Sequence, residues 1–381
     1  MKIMILGADG YMGWPTSIDL ASKGHTICMV DNYIKRKLMT QYKRKTLVNS
    51  PKLDKKIKFI KSLNKKSQFH DTDCSDPIAF KKLFKKFSPD AVIHYAELPS
   101  APYSMAGPKE GWNTLNNNLQ TTFNLIDCVK SINPDCHIVK LGTMGEYGTP
   151  NIDIEEGWLN VNHNKRKQKF LYPRQGSSIY HTSKIMDTDL LWFYVRNYNL
   201  RVTDLMQGPV YGIYVNDYAT ENNLETAFAY DDMFGTIINR FIVQAVAGVP
   251  LTIYGSGSQI RGYINLKDSL KCMNIALENP SGKGKLSIFN QFTEQYSVIN
   301  IAKKIIKAFK TLEIDVQMKK IPNPRIEKEK HYYNAKNAGL KKLGLEAELL
   351  DENVIIEIAK YVMKNKNKIN KKIITPRVNW K

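Results

Sequence analysis

Residues 1–13 are MKIMILGADGYMG, an apolar run that passes directly into three glycines. Gly7, Gly10 and Gly13 are spaced three residues apart, and the residues that follow have helical periodicity. Glycines at a strand-to-helix junction allow a tight turn and a close backbone approach to a pyrophosphate, whose charge rests on the positive helix end. The stretch therefore predicts a dinucleotide-binding loop; a plain strand-to-helix turn is the alternative.

The order of elements after this loop predicts the fold class. Short β-branched runs alternate with segments of helical period, which is typical of a parallel sheet with helices on both faces. The predicted strands are residues 2–6, 26–30, 91–94, 137–141 and 201–205, and the main predicted helices are residues 11–23, 77–87, 114–131 and 177–198. We therefore expect an α/β fold, a Rossmann-type doubly wound parallel sheet with a smaller interleaved substrate-binding domain.

The domain boundaries follow from where this alternation weakens, after about Gly208. We assign residues 1–207 to the dinucleotide-binding domain, with a return segment at 234–270. Residues 208–233 and 271–381 are assigned to the substrate-binding domain, with a polar loop at 216–224.

The end of the second predicted strand indicates which dinucleotide is bound. Asp31 closes this strand, and a carboxylate there accepts hydrogen bonds from the adenosine ribose and repels a 2′-phosphate. Lys35 and Arg36 argue the other way, because they could pair with that phosphate. Since Asp31 lies at the strand end itself, we predict NAD rather than NADP.

Composition excludes several classes of protein. The chain has 381 residues, of which 43% are hydrophobic and 24% charged, as in soluble globular proteins and unlike disordered or fibrous ones. Its five cysteines form no C-x-x-C motif, so neither a disulfide framework nor a metal site is predicted. No apolar stretch approaches 18 residues and no secretory signal precedes the first strand, so we expect a cytoplasmic protein without membrane insertion.

The net charge of +20 is confined to two segments. Residues 35–66 carry +12 and residues 360–381 carry +8, whereas the rest of the chain is electroneutral. Such segments could bind nucleic acid or an anionic membrane, but no aromatic-interleaved motif or DNA-binding fold accompanies them. We therefore expect a solvated, lysine-rich surface and no nucleic-acid partner.

A candidate catalytic group lies in the fourth predicted helix. Tyr180 and Lys184 are four residues apart, which places them on one helix face. An ammonium beside a phenol lowers the phenol pKa, so that Tyr180 could remove a proton from a substrate hydroxyl while hydride leaves the same carbon. Thr143 follows the preceding strand and supplies a hydroxyl beside this pair.

In this order the residues resemble the extended short-chain dehydrogenase/reductase family, the NAD-dependent epimerases and dehydratases that act on nucleotide sugars. Longer blocks resemble one branch of that family, whose members attach sulfite to a UDP-sugar. These blocks are LGTMGEYGTPNIDIEEG at 141–157, SAPYSM at 100–105, YG at 211–212, FGT at 234–236, FNQFTEQ at 289–295, PNPR at 322–325 and HYYNA at 331–335.

The resemblance implies a reaction in which UDP-glucose and sulfite give UDP-sulfoquinovose and water. Tyr180, supported by Lys184 and Thr143, would remove the O4 proton while the C4 hydride passes to NAD. Water would leave across C5 and C6 of the 4-keto sugar, sulfite would add at C6, and the hydride would return to C4. UDP-glucose 4-epimerase and nucleotide-sugar 4,6-dehydratase activities are the alternatives.

One departure from the dehydratases bears on the acid and base groups. Those enzymes usually carry an Asp-Glu pair directly after the catalytic threonine, whereas this chain has Met144 and Gly145. The resemblance therefore shifts proton transfer at C5 and C6 to His181 and Glu146.

The resemblance also implies ligand contacts. Arg261 and Arg325 would bind the diphosphate through paired donors. The other implied substrate contacts are Thr143, Gln207, Thr236, Thr252, Tyr254, Asn290 and Gln291. The cofactor contacts predicted beside the glycines, Asp31, Lys35 and Arg36 are Tyr11, Met12, Asn32, Tyr33, Asp73, Cys74, Asn118, Tyr180 and Lys184.

Further implications concern sulfite and assembly. Related enzymes carry an arginine immediately before the SAPYSM block, where this chain has Pro99, so the residue that attracts sulfite stays open. Relatives usually form homodimers through helices equivalent to 114–131 and 177–198. Whether a protein partner delivers sulfite, and whether the sulfosugar enters a lipid or a glycan, also stay open.

Overall fold

The computed structural model describes residues 1–48, 50–213, 224–325 and 332–375. Most of the polar loop predicted at 216–224 lies outside these residues, as do His331 of the HYYNA block and the last six residues of the basic C-terminal segment.

Helices and strands alternate along most of the chain. The strands are β1 (Lys2–Leu6), β2 (Thr26–Asp31), β3 (Gln68–Asp71), β4 (Ala91–His94), β5 (His137–Thr143), β6 (Trp158–His163), β7 (Arg166–Leu171), β8 (Arg201–Gln207), β9 (Val210–Tyr211), β10 (Leu251–Tyr254), β11 (Ile260–Asn265), β12 (Lys285–Gln291), β13 (Glu294–Ser297) and β14 (Met318–Ile321). The α-helices are α1 (Gly13–Ser22), α2 (Ile34–Gln41), α3 (Leu53–Leu63), α4 (Pro77–Phe87), α5 (Ala101–Ser104), α6 (Pro108–Ile132), α7 (Ile179–Tyr198), α8 (Ile237–Val246), α9 (Leu266–Glu278), α10 (Val298–Lys310), α11 (Ala338–Lys342) and α12 (Glu352–Lys364). Short 3₁₀ turns occupy Met144–Tyr147 and Lys366–Lys368.

Seven parallel strands form the central sheet, in the order β12-β8-β5-β4-β1-β2-β3. Four of the five β1 side chains are completely buried, because helices cover both faces of the sheet. A strand buried on both faces needs a continuous apolar run rather than alternation, which is what β1 has. The strand order reverses between β1 and β4, where a crevice opens at the carboxyl ends. The predicted Rossmann-type fold is confirmed.

The glycine loop directs α1 away from β1. Gly7 has a φ of +80°, a left-handed conformation that disfavours other residues. A Cβ on Gly13 would lie 2.2 Å from the carbonyl oxygen of Gly7, so only glycine permits this close packing of loop against helix. Gly10, Met12 and Gly13 line the crevice at the start of α1.

A second hydrophobic core lies under the smaller sheets. Strands β10 and β14 pair with each other, and β9, β11 and β13 form another sheet. Helices α8, α10 and α12 pack together through residues such as Phe241, Ile305 and Ile358. Helix α8 and strands β10 and β11 belong to this smaller unit, so the assignment of residues 234–270 to the dinucleotide-binding domain needs a correction.

The predicted boundary at residue 271 needs a correction. Strand β12 pairs with β8 along its whole length, from Lys285 against Arg201 to Gln291 against Gln207. It therefore belongs to the central sheet and not to the smaller unit. Helix α9 likewise packs on α1, with Cys272 and Met273 in the same core as Ile3 and Ile5.

Three further features concern compartment, chemistry and the membrane. All five cysteines are buried free thiols. No group of His, Cys, Asp and Glu side chains in the described ranges is arranged to bind a metal ion. No helix in those same ranges combines the length and the apolar character needed to cross a membrane.

Candidate active site

The carboxyl ends of the central strands open into one cavity of about 900 Å³. The loop before α8 and parts of α8, β10 and β11 form the opposite wall. Most of the residues predicted for the site line this cavity: Gly7, Gly10, Tyr11, Met12, Gly13, Asp31, Asn32, Tyr33, Lys35, Arg36, Asp73, Cys74, Thr143, Tyr180, His181, Gln207, Thr236, Tyr254, Arg261 and Arg325. Six others, Asn118, Glu146, Lys184, Thr252, Asn290 and Gln291, lie behind its wall.

The cofactor end of the cavity fits a dinucleotide. Helix α1 begins without a side-chain cap, and Gly10, Met12 and Gly13 line the cavity at its start, where the positive helix end favours an anion. Asp31 lies at the end of β2 and accepts hydrogen bonds from the backbone N–H groups of Asp9 (2.8 Å) and Tyr33 (2.7 Å). Burial and the nearby Asp9 carboxylate raise the pKa of Asp31. These contacts fix the carboxylate where a ribose would lie.

Asp9, a loop residue that sequence reasoning missed, binds two side chains of the basic segment at residues 35–66. Its carboxylate accepts two hydrogen bonds of 2.5 Å from the Arg36 guanidinium and lies 2.6 Å from the Lys56 ammonium. Lys56 is completely buried on α3. The expectation of a solvated surface is therefore wrong at Lys56. Arg36 is already neutralised by Asp9, which weakens the case for a 2′-phosphate.

Arg44 is a second basic residue of this segment that is not solvated. Its side chain is 9% exposed and donates to Asp232 at 2.7 Å, and both residues line the cavity. Asp232 precedes α8, so this ion pair connects the basic segment to the opposite wall. The positive charge of Arg44, in a segment that appeared unrelated to the site, thus forms part of the cavity wall.

Tyr180 lies at the start of α7 and faces Thr143. Its backbone N–H donates to the Ser104 hydroxyl at 3.0 Å, and its phenol is hydrogen-bonded to the Thr143 side chain. Ser178 caps the helix by accepting from the backbone N–H of His181. The cap fixes the helix start, and with it the direction of the Tyr180 side chain.

Lys184 lies one turn below Tyr180, and its ammonium is ion-paired with Glu97. A second carboxylate, Asp187, lies 3.7 Å away. Burial works to lower the pKa of Lys184, but Glu97 and Asp187 raise it overall. For Tyr180, burial raises the pKa, Glu97 raises it further, and Lys140 and the Thr143 hydrogen bond oppose this only in part. Burial and Glu97 thus outweigh the groups that favour the phenolate, and the pKa of Tyr180 is raised.

His181 occupies space made available by Gly145. A Cβ on Gly145 would lie 2.3 Å from Nε2 of His181, so any larger residue there would displace the imidazole. The ring is hydrogen-bonded through Nδ1 to the Ser177 hydroxyl at 3.1 Å. Burial lowers the pKa of His181 to about 3, assisted by Arg261 and Arg325. The cavity thus contains a neutral imidazole close to Thr143 and Tyr180.

Glu146 does not reach the cavity, contrary to its predicted catalytic role. It is completely buried and accepts hydrogen bonds from the Thr143 backbone N–H at 3.2 Å and the Thr188 hydroxyl at 3.3 Å. Lys140 and Arg174 lie 3.5 Å and 3.8 Å from its oxygens. Burial raises the pKa of Glu146. Its side chain supports the turn that carries Thr143.

Asn118, Thr252, Asn290 and Gln291 also act behind the wall rather than in the cavity, because their polar atoms are bound to other parts of the protein. Asn118 accepts from Leu98 and donates to Ser183. The other three bind Gln244, Tyr147 and Gln207, respectively.

Arginines surround the Tyr254 ring on the far wall. The guanidinium carbons of Arg240 and Arg325 lie 5.8 Å and 5.7 Å from the ring centre, and Arg261 also lines the cavity. Arg240 is buried, and its Nε has no hydrogen-bond partner among the described residues. Sequence reasoning missed Arg240 because nothing in its helix distinguishes it. Guanidinium groups on this wall of the cavity can bind an anionic ligand.

Comparisons with known proteins agree with this geometry. The NAD dependent epimerase/dehydratase family matches residues 3–291. The chain is 42% identical to the chloroplastic UDP-sulfoquinovose synthase of Spinacia oleracea, over all of this chain and 79% of that protein. It is 38% identical to the UDP-sulfoquinovose synthase of Sulfolobus acidocaldarius, over 100% and 98% of the two chains.

Solved structures show the same fold at low sequence identity. The UDP-glucose 4-epimerase from Bifidobacterium longum, in complex with NAD+ and UDP, aligns with a TM-score of 0.71 at 20% identity over 97% of this chain and 100% of that one. The UDP-glucuronic acid 4-epimerase from Bacillus cereus, in complex with UDP-glucuronic acid and NAD, gives 0.70 at 20% identity, over 96% and 99% of the two chains.

Proposed function

Since the chain belongs to the NAD dependent epimerase/dehydratase family, we propose that it converts UDP-glucose and sulfite to UDP-sulfoquinovose and water. The observation that carries the proposal is one cavity lined by three groups of residues. The glycine loop and Asp31 lie at one end, Tyr180 and Thr143 in the middle, and the arginines around Tyr254 at the other. The identity of 42% and 38% to two UDP-sulfoquinovose synthases, over the whole of this chain, favours this reaction among those of the family.

NAD is the cofactor that this arrangement suits. Bound NAD would accept the hydride from C4 of the sugar and return it at the end of the cycle. The uncapped start of α1 would bind the pyrophosphate, and Asp31 would bind the adenosine ribose. Tyr11, Met12, Asn32, Tyr33, Lys35, Arg36, Asp73 and Cys74 line the same end of the cavity.

Tyr180 would act at O4 of the sugar. Its phenolate form, aligned by Thr143, would take the O4 proton as the C4–H bond breaks, leaving a 4-keto sugar. The keto group acidifies C5, so the elimination of water across C5 and C6 needs only a weak base and a proton donor. His181 is the neutral group in the right place for one of these steps. Sulfite would then add at C6 while C5 takes up a proton again, and Tyr180 would return its proton to O4 as the hydride returns to C4.

The diphosphate would lie between the arginines. Arg261 and Arg325, joined by Arg240, would bind its oxygens, with Tyr254 and Thr236 beside them. Gln207, at the end of β8, would face the sugar. The position of Pro99 in the cavity wall means that no cation reaches the ligand from that residue, so sulfite is attracted by other groups.

Product mass tests the proposal and separates it from its alternatives. The purified protein would be incubated with UDP-glucose in the presence and in the absence of sulfite. We expect a UDP-sugar in which a sulfonate replaces one hydroxyl, formed only with sulfite. A product of unchanged mass that is UDP-galactose would identify an epimerase, and a released 4-keto-6-deoxy sugar a dehydratase; either would refute the proposal.

We also infer a homodimer formed through α6 and α7. Phe123, on α6, contacts Tyr194, on α7, and the neighbouring Phe193 and Tyr198 leave more than two fifths of their surface exposed. Aromatic surface of this kind on adjacent helices is typical of an interface. Light scattering of the purified protein, with Phe193→Asp as the disrupting variant, tests this assembly.

The five free thiols support a reducing compartment such as the cytoplasm.

A further inference from the structure

Residues 42–48 leave the dinucleotide-binding domain after α2, contact the smaller unit and lead back towards α3. We propose that this segment, the strap, closes the cavity over bound NAD and opens each time the cofactor enters or leaves. The ion pair between Arg44 and Asp232 is the latch that holds the strap closed. This inference goes beyond the proposed function, because it concerns the cofactor alone and applies to any NAD dependent reaction of the family.

The two ends of the strap are attached to different parts of the protein. Near α2, the Tyr42 hydroxyl donates to the Glu110 carboxylate on α6, and the Tyr42 ring packs edge-on against Tyr103 with 5.5 Å between the ring centres. At the other end, the backbone N–H of Leu47 donates to the carbonyl oxygen of Phe228 at 2.9 Å. Leu47 is 2% exposed and belongs to the hydrophobic core of the smaller unit. The strap therefore runs from one unit of the protein to the other.

Arg44 fastens the middle of the strap to the loop before α8. Its Nε donates to the Asp232 carboxylate at 2.7 Å, and its Nη1 donates to the carbonyl oxygen of Tyr42 at 2.7 Å, which orients the guanidinium group. The side chains of Arg44 and Asp232 are 9% and 1% exposed, so salt and water screen the pair little. Next to it, the Asp231 carboxylate accepts hydrogen bonds from the two backbone N–H groups that follow Asp232. These bonds fix the loop to which the strap is latched.

The latch lies at the end of the cavity that fits the dinucleotide. Strap residues 44–46 line the same cavity as the glycine loop and Asp31. Lys35, which also lines it, relates the two sides to each other. Burial lowers the pKa of Lys35, and the carboxylates of Asp231, Asp9 and Asp31 all oppose this, so the ammonium lies near all three. Asp231, beside the latch, is therefore close to the residues that would bind the ribose and the pyrophosphate.

A latched strap affects the kinetics of cofactor exchange more than the affinity. The latch is formed in the ligand-free protein, so NAD can enter only while the strap is open and can leave only while it is open. A weaker latch increases the open population and should accelerate association and dissociation by similar factors. A residue that only contacts NAD would act mainly on dissociation. Slow exchange would not limit the proposed reaction, because that reaction regenerates NAD within each turnover.

Stopped-flow fluorescence of NADH measures both rates, after bound nucleotide has been removed from the purified protein with charcoal. Association follows mixing with NADH, and dissociation follows the displacement of bound NADH by excess NAD. Arg44→Gln removes the contacts of the guanidinium group with Asp232 and with Asp231, which lies 3.9 Å from its Nε. We expect both rates to rise about tenfold or more, while Kd changes less than about threefold. Lys43→Gln, which removes an exposed charge from the same segment, is the matched control and should behave as wild type.

A double-variant cycle tests whether the two residues act as one latch. Asp232→Asn leaves Asp231 near Arg44, so we expect it to accelerate exchange less than Arg44→Gln does. Adding Asp232→Asn to Arg44→Gln should accelerate exchange no further, because the latch is already lost. Effects of the two substitutions that multiply in the double variant would show that they act independently and would overturn the latch.

Two further outcomes would refute the strap. One is unchanged exchange in Arg44→Gln, and the other is faster dissociation with unchanged association. If Arg44→Gln does not fold, the wild type decides alone. A closed strap predicts an association rate that reaches a plateau at high NADH concentration, whereas a linear rise with a rate constant of about 10⁷ M⁻¹s⁻¹ would overturn the proposal. None of these measurements contains sulfite, so they stand or fall separately from the sulfite chemistry.

Discussion

Asp9 and Lys56 form a buried ion pair with 2.6 Å between Oδ1 and Nζ. This pair joins the glycine loop to the basic segment at residues 35–66. Lys56 also lies 4.7 Å from the centre of the Trp14 ring on α1. Arg36 completes the cluster from the more exposed side. The glycine loop is therefore supported by α3. The positive charge of this helix alone would predict that it is exposed to solvent.

The two members of this pair should differ in their effect on stability. Asp9→Asn leaves Lys56 charged, buried and unpaired, so we expect a loss of about 3–5 kcal/mol in unfolding free energy. Lys56→Met leaves Asp9 paired with Arg36 and should cost less, about 1–3 kcal/mol. Denaturant titration of the ligand-free protein measures both, with the exposed Lys55→Met as control. Equal losses for the two variants would contradict the assignment.

Tyr180→Phe should abolish turnover while NAD remains bound. The ring is retained, but the oxygen that exchanges a proton with O4 is lost, so we expect a decrease in rate of at least about 10²–10⁴-fold. Turnover is measured as sulfosugar formed, and NAD binding by titration of the same preparation. Tyr198→Phe, on the exposed end of the same helix, should behave as wild type. Substantial activity in Tyr180→Phe would remove Tyr180 from the mechanism.

Arg240→Gln and Arg325→Gln should weaken binding of the UDP-sugar rather than of NAD. Charge-assisted hydrogen bonds of this kind contribute about 1.5–3 kcal/mol, so KM for UDP-glucose should rise about 10- to 150-fold. Arg166→Gln, on the exposed hairpin strand β7, is the matched control. If KM is unchanged for Arg240→Gln, its place in the anion site is refuted, and the site reduces to Arg261 and Arg325.

Buried His137 should make the protein less stable in mild acid. Burial lowers its pKa to about 4 in the folded state, against 6.5 in the unfolded chain. Between these values the unfolded state binds the extra proton, so stability falls as the pH falls, by about 2 kcal/mol between pH 7 and pH 5. His137→Gln should lack this contribution. Unfolding free energies at the two pH values test it, with the exposed His163→Gln as control.

The sequence predicted the elements that local pattern determines. The glycine spacing, the apolar run of β1 and the four-residue spacing of Tyr180 and Lys184 are all encoded within a few residues, so their elements and order were foreseen. Strand β12 was assigned to the wrong unit because its membership depends on pairing with β8, about 80 residues earlier. No local pattern carries that information.

The residues that were missed act over long separations. Glu97 and Lys184 are 87 positions apart, and Asp9 and Lys56 are 47 apart. Lys56 is one of 13 basic residues in its segment, and only folding shows that it is buried while its neighbour Lys55 is exposed. Glu146 was chosen for its closeness to Thr143 in sequence, but the turn directs it away from the cavity.

The five buried thiols bear on the substrate itself. Sulfite is a nucleophile that splits disulfides into a thiol and an S-sulfonate. Here Cys28, Cys74, Cys128, Cys136 and Cys272 are unpaired, and burial raises the pKa of each. Thiols that stay protonated are also slow to oxidise into the disulfides that sulfite attacks. The chain is thus chemically resistant to the reagent that we propose it consumes.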